Sequence, residues 1–367
     1  MSISIETQPS DGFRTEYAAN LAIAEAGVRT FSPLFLPGNM PSLPDPYTSA
    51  GLTGFYEILT AESGKRIRAV LGVTAYRHAV EQNNGDYDER VARAVAFDQE
   101  CRQGKYLVID DRIDRSERRR GVQTVHALLR DKMILDGRDD PAGLAEHYSS
   151  VVCEIVGEIT EQTFLDMPVP AERLRDARRV LSDGFIRTGI GQGWDMRSLE
   201  PGERIGVDRV RQTAIDKTAH YTIRRPWNGG EIIGGGKPSD IGRYANELGG
   251  AFQLEDDLKG TFGDPNKTGK SNQDDYRDRT ATGLVAEAHR SGERYARGLD
   301  EAFRDKDKAS GFAKYQQVFQ ESGAVATVEG MVVAGVERAI ASLPPNLPSH
   351  SRDFLTNFAI SLTYRQK

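Results

Sequence analysis

The stretch Gln103-Gly104-Lys105-Tyr106-Leu107-Val108-Ile109-Asp110-Asp111-Arg112-Ile113-Asp114-Arg115-Ser116-Glu117-Arg118-Arg119-Arg120-Gly121 sets a group of aspartates just ahead of a run of arginines. Read as a helix, it puts Asp110 and Asp114 on one face a turn apart, with Asp111 beside them. Carboxylates crowded in this way repel one another, and a hard divalent cation relieves the repulsion. Mg²⁺ takes oxygen ligands and is commonly held by one or two carboxylates together with substrate phosphates. Arg118, Arg119 and Arg120 offer guanidinium forks that match phosphate oxygens. Acids that hold a cation beside bases that hold an anion point to a diphosphate substrate. The other reading of the stretch is a solvated, mixed-charge helix.

The rest of the chain narrows the class. Its 367 residues are 38% hydrophobic and 28% charged, the composition of a water-soluble protein long enough to bury a sizeable core. A net charge of −6 argues against bulk nucleic-acid binding and leaves a small-molecule partner as the expectation. Cys101 and Cys153 are too far apart in sequence to suggest a disulfide framework or a zinc site. With no leader-like start and no apolar run long enough to span a bilayer, no membrane span is expected and the default location is cytoplasmic.

Working outward, residues 1–12 read as a flexible tail, and a helix is predicted from Phe13 to Val28. Pro33, Pro37, Pro41, Pro44 and Pro46 then mark an extended connection. Residues 88–109 read as a long helix with Ala94, Val95, Cys101, Leu107 and Ile109 facing a core. Helical spacing continues from Val122 to about Met196, broken around Gly137–Pro141 and Pro168–Pro170, and again from about Ala281 to Ile340. Asp136, Asp139 and Asp140 read as turn and cap residues. The glycines from Gly229 to Gly236 miss the spacing of a phosphate loop and fit close helix packing and a turn. Gly64-Lys65-Arg66-Ile67-Arg68 puts Lys65 and Arg68 near a helix start, where free N–H groups also favour an anion.

A second acidic stretch, Gln253-Leu254-Glu255-Asp256-Asp257-Leu258-Lys259-Gly260, leads on to Thr268-Gly269-Lys270. With both stretches in hand, the chain resembles the trans-isoprenyl diphosphate synthases, most nearly the farnesyl diphosphate synthase branch. The resemblance implies an all-α bundle of the isoprenoid synthase type around a deep central cavity, formed by residues 13–367 as one catalytic domain. It further implies a homodimer, two or three Mg²⁺ ions, and condensation of an allylic prenyl diphosphate with isopentenyl diphosphate to a short-chain (C10–C20) product.

Carried over residue by residue, the resemblance assigns Mg²⁺ to Asp110, Asp111, Asp114 and Asp256. It gives the isopentenyl diphosphate to Lys65, Arg68, Gln103 and Arg120, and the allylic diphosphate to Arg119, Lys217 and Lys270. Thr218 falls near the developing carbocation, Gln253 orients ligands, and Glu161-Gln162 with Asp166 resembles the helix bearing a Gln and an Asp near the allylic site. Tyr106 would form the floor that limits chain growth. Lys105 beside it either snorkels away or marks a different cavity. Two departures stand out: Gly260 replaces the second motif's last aspartate, and Thr280 replaces a lysine for which Arg277 or Arg279 is the candidate substitute. They motivate the rival readings, a terpene cyclase or a prenyltransferase with another acceptor, or a non-catalytic synthase-derived subunit.

Overall fold

The computed structural model describes residues 8–42, 44–61, 64–196, 199, 202–264 and 271–363. The chain divides into two compact units. One comprises Thr15–Arg179 and Pro226–Pro238; the other comprises Met1–Arg14, Val180–Arg225 and Ser239–Lys367. Helices dominate both, in the order α1 Asp11–Phe31, α2 Pro46–Thr60, α3 Ile67–Gln82, α4 Glu89–Ile113, α5 Val125–Leu135, α6 Pro141–Leu165, α7 Ala171–Asp195, α8 Val207–Ala214, α9 Arg225–Ile233, α10 Gly242–Phe262 and α11 Asp274–Asp278. Gly283–Ser291, Glu293–Arg304, Lys308–Glu321, Ala324–Ala341 and Ser349–Thr363 are helical too. None of the helices among the described residues is long and apolar enough to cross a membrane.

Local chemistry sets the ends. Asp45 accepts from the amides of Tyr47 (3.0 Å) and Thr48 (3.3 Å) with Pro46 opening α2, and Asp140 accepts from Gly143 N (3.0 Å) with Pro141 opening α6. A side-chain cap satisfies amides that have no partner inside the helix, and proline is tolerated in the first turn for the same reason. The acidic cluster near Asp140 is therefore a turn and cap, as its glycine and proline neighbours indicate.

In the first unit, called the α4 unit below, α4 packs against α3 and α6 over a core that includes Phe35, Phe55, Phe97, Leu129 and Val152. Ala94, Val95 and Cys101 are buried as expected, but Leu107 and Ile109 are only half-buried and Val108 takes the inward place. Val108 lies seven residues, two helical turns, beyond Cys101 and so shares its face; its neighbours are turned to either side. Gly230 and Gly234 of α9 lie so close to α3 that a Cβ would collide with the Gly72 and Tyr76 carbonyls respectively. Close packing therefore accounts for these glycines. The second unit, the α10 unit, packs α10 along Ala324–Ala341, and builds an aromatic core from Tyr276, Phe303, Phe312, Tyr315 and Phe319.

Candidate active site

Of residues 103–121, the helix takes in only those up to Ile113. Asp114 caps α4, Arg115 turns left-handed (φ 53°), and Ser116 N returns to Asp111 O at 2.9 Å, a helix stop that ordinarily uses glycine at the left-handed position. Arg118–Arg119 then pairs with Val122–Gln123 as a two-stranded hairpin whose turn, Arg120-Gly121, has φ of 53° and 82°. Positive φ at both turn residues matches the twist of the strands. The arginine run is thus a hairpin and no continuation of the helix, and it folds back so that Arg119 Nε donates to Asp111 Oδ1 at 2.8 Å.

Asp111 is 1% exposed, whereas Asp110 is half-buried and Asp114 exposed. The C-terminal end of a helix carries roughly half a negative charge, which adds to the repulsion among these carboxylates. Arg119 answers that charge at Asp111. Asp110 and Asp114 remain the accessible pair, one turn apart. Tyr106, a turn before Asp110, is half-buried, and burial pushes its phenol up to about 12. Lys105 turns to α6, with Nζ 3.5 Å from Glu154 Oε1, so it snorkels.

A basic cluster lies in the same unit. Arg66, in the left-handed conformation just before α3, is 2% exposed and bonds Glu100 Oε2 (2.6 Å), Glu25 Oε1 (2.9 Å) and the Leu59 carbonyl (2.7 Å). Arg120 donates to Ile58 O (3.2 Å) and lies 3.7 Å from the same Glu100 oxygen. Burial holds the Arg120 guanidinium below its usual range, and Arg66, Arg119 and Arg68 push the same way against Glu100. Gly64 makes room for this crowding, since a Cβ there would lie 3.0 Å from Arg120 Cζ and 3.1 Å from Arg66 Cζ. Arg120 shares Glu100 with Arg66, so burial and the neighbouring guanidinium groups weigh against its charge, and an anion beside it would relieve that. Lys65 is exposed, and Arg68 and Gln103 are half-buried.

In the α10 unit, α8 runs without a break through a π-helical stretch, Ile215–Arg224, into α9. The helix does not stop at Pro226: it continues to Ile233, and the wide stretch immediately precedes the proline. Proline cannot donate to the preceding turn and crowds its carbonyl, and π turns inside α-helices are frequent at functional sites. Lys217 and Thr218 both lie on it. Lys217 pairs with Asp195 at the end of α7, and Gly191 brings α7 so near that a Cβ would meet Lys217 N. Thr218 Oγ1 donates to Gln253 Oε1 (3.2 Å), Gln253 Nε2 donates to Asp257 Oδ1 (3.0 Å), and Gly283 N donates to Asp257 Oδ2 (2.7 Å). Burial pushes Asp257 up to about 6 against those bonds. Asp256, its exposed neighbour, is the accessible carboxylate of this stretch.

Several residues were not read from the sequence. Asp195 holds Lys217, while Glu161 is occupied elsewhere, bonding Arg102 (2.9 Å) and Arg178 (3.0 Å) beside the buried Asp98. The Gln-and-acid pattern at Glu161-Gln162 and Asp166 therefore belongs to a structural ion network as far as Glu161 is concerned. The signal for Asp195 was the second such pattern, Gln192 and Asp195. Arg66 is the buried member of the Gly64–Arg68 motif, and nothing in the sequence sets it apart from Lys65 and Arg68. Of the candidate substitutes for Thr280, Arg277 pairs with Asp274 and Asp278, and Arg279 lies 5.8 Å from the Phe303 ring centroid. Lys270 lies outside the described residues.

Among the described residues, no three His, Cys, Asp or Glu side chains form a group that could hold a metal ion by themselves. Paired aspartates are nevertheless a hard, oxygen-only donor set, and such a set suits Mg²⁺ when diphosphate oxygens complete the coordination. A chain whose described residues are helical but for one short hairpin and the connections, with two acidic stretches, each in a unit that also carries basic side chains, is a fold of the isoprenoid synthase type. Residues 50–321 match the polyprenyl synthetase family, and the chain belongs to that family. It is 27% identical over 309 residues to a geranylfarnesyl diphosphate synthase of Aeropyrum pernix, covering 83% of this chain and 91% of that protein. It is 30% identical over 221 residues to a (2E,6E)-farnesyl diphosphate synthase of Mycobacterium tuberculosis, covering 60% of this chain and 55% of that one. The crystal structure of a geranylgeranyl pyrophosphate synthase from Corynebacterium glutamicum, complexed with isoprenyl diphosphate and magnesium, aligns with a TM-score of 0.82 at 26% identity, over 94% of this chain and 98% of that chain.

Proposed function

We propose that this protein condenses an allylic diphosphate with isopentenyl diphosphate to give a short-chain (C10–C20) trans-prenyl diphosphate. The observation that carries the reading is the crowded Arg120, flanked by Arg66, Arg68 and Arg119 and left to share Glu100 with Arg66, in the same unit as Asp110 and Asp114. An anion site of this kind suits isopentenyl diphosphate, a substrate that a cyclase does not use. Lys65, Arg68, Gln103 and Arg120 hold that diphosphate. Asp110 and Asp114 hold Mg²⁺ in the α4 unit and Asp256 does so in the α10 unit; Asp111, by holding Arg119, sets that guanidinium on the allylic diphosphate.

When bound, two or three Mg²⁺ ions neutralise the leaving diphosphate. Lys217 adds a point charge to the same group, with Lys270, outside the described residues, as a further candidate. Thr218 places its oxygen toward the developing allylic cation, and Gln253 fixes Thr218 through their hydrogen bond. The double bond of isopentenyl diphosphate then attacks, the departing diphosphate takes the proton, and Tyr106 closes the space for the growing chain. Residues 13–367 act as one catalytic domain, as a homodimer, in the cytoplasm.

The test is product analysis with Mg²⁺ and dimethylallyl, geranyl or farnesyl diphosphate, each with and without isopentenyl diphosphate. A longer linear diphosphate only when isopentenyl diphosphate is present, lost in Asp110→Ala, supports the reading. A hydrocarbon or alcohol from the allylic substrate alone overturns it in favour of a cyclase, the alternative that Gly260 motivates. No turnover with any substrate favours another acceptor or a non-catalytic subunit.

A further inference from the structure

An aspartate at position 260 would stand one turn beyond Asp256 on the same face of α10, and Gly260 leaves that place without a side chain. The place is filled all the same. A Cβ built on Gly260 would lie 2.5 Å from Asp275 Oδ2 and 3.6 Å from its Cγ, so the carboxylate of Asp275 occupies the volume in which a side chain at position 260 would begin. Resting on the diphosphate reading above, we propose that Asp275 supplies the carboxylate that Gly260 lacks, and that Gly260 is glycine because Asp275 needs the space.

The short helix α11 is built to aim this group. Tyr276, the next residue, is buried in the aromatic core, with its hydroxyl on Ala302 O at 3.0 Å. Thr280 N closes the turn onto Asp275 O at 2.9 Å, and Arg279 ends the helix in the left-handed conformation. Arg277 engages Asp274 and Asp278 in exposed pairs. Asp257, Asp195 and Asp274 act on Asp275 as like charges and Lys217 as an opposite one. Negative charge from α7, α10 and α11 thus acts on Asp275, and a divalent cation with its diphosphate would relieve that repulsion. Thiolates and imidazoles are not part of this group, so the donor chemistry stays that of Mg²⁺.

The test measures Mg²⁺-dependent binding of inorganic pyrophosphate by calorimetry, with circular dichroism as the control for folding. Asp275→Asn, which keeps the shape and removes the charge, should weaken binding about ten- to a hundredfold, the usual range for a group that supports a metal site. Gly260→Ala should weaken it as well, although no acid is lost, because the Cβ displaces Asp275. The exchange Gly260→Asp with Asp275→Gly should recover most of the affinity. Wild-type binding by folded Asp275→Asn, or a folded exchange variant no better than Asp275→Asn, overturns the proposal. Prenyl product formation is assayed in parallel. If product forms while Asp275→Asn binds normally, this inference alone fails; if binding falls in Asp275→Asn but no substrate is condensed, the functional reading alone fails.

Discussion

Glu100 is closed off from solvent, and its Oε2 lies 2.6 Å from Arg66, whose side chain is equally buried. Removing one charge of a buried pair leaves the other unmatched, at a cost of about 3–5 kcal/mol. Glu100→Gln should therefore lower the urea unfolding free energy by about 3 kcal/mol or more, and a loss below about 1 kcal/mol would show that Glu25 alone satisfies Arg66. His220 gives the pH dependence. It is buried, its Nδ1 has no hydrogen-bond partner, and burial followed by Arg187, Arg225 and Arg224 lowers it from 6.5 to about 4. Its folded value lies below its unfolded one, so the unfolded chain binds the proton first as pH falls. The contribution is full above pH 6.5 and lost on the way down to about 4, on the order of 3 kcal/mol. His220→Gln should flatten stability over that window, and an unchanged pH profile would remove His220 as its source. At this scale the sequence shows what lies along one segment: the spacing of Asp110 and Asp114, or Lys217 beside Thr218. It does not show pairs made by folding, such as Arg66 with Glu100 or Lys217 with Asp195, 34 and 22 residues apart.

Two elements depart from regular helix where they carry candidate residues, the hairpin with Arg119 and Arg120 and the π stretch with Lys217 and Thr218. The hairpin after α4 was not legible because its turn uses Arg120 before Gly121, without the Asn-Gly or Asp-Gly that usually signals two left-handed residues, and its arginines suit a helix equally well. The π stretch was not legible because its side chains differ little from those of an α-helix; only Pro226 hinted at disturbance. Replacing that proline restores an amide that can donate to the Thr222 carbonyl. Pro226→Ala should let the stretch tighten, turning Lys217 and Thr218 away from their present neighbours. If the functional reading holds, kcat should fall by about a hundredfold, the scale expected for ångström misplacement, while the melting temperature holds or rises. Unchanged kcat with altered amide exchange across Ile215–Arg224 would show that the widening has no bearing on the chemistry.

At the scale of the whole molecule, the candidate residues are distributed over both units: Lys65, Arg68, Gln103, Asp110 and Arg120 in the α4 unit, Lys217, Thr218, Gln253 and Asp256 in the α10 unit. The helical class was legible throughout because apolar spacing and proline-marked breaks persist over the chain. Because the carboxylates need diphosphate to complete a metal site, Mg²⁺ alone should change thermal stability little. Mg²⁺ with pyrophosphate at about a hundred times its dissociation constant should add about 2.7 kcal/mol, seen as a rise of several degrees that EDTA reverses. An equal rise with Mg²⁺ alone would mean that the acidic groups hold the ion unaided. The π stretch also bears on chain length. Each of its turns takes in about one residue more than an α turn, so Ile215–Arg224 works as a store of slack. Loss of a single residue there could be absorbed by rewinding to α while the helix kept its reach. The segment that presents Lys217 and Thr218 would then be one in which the scaffold forgives a deletion and the chemistry does not.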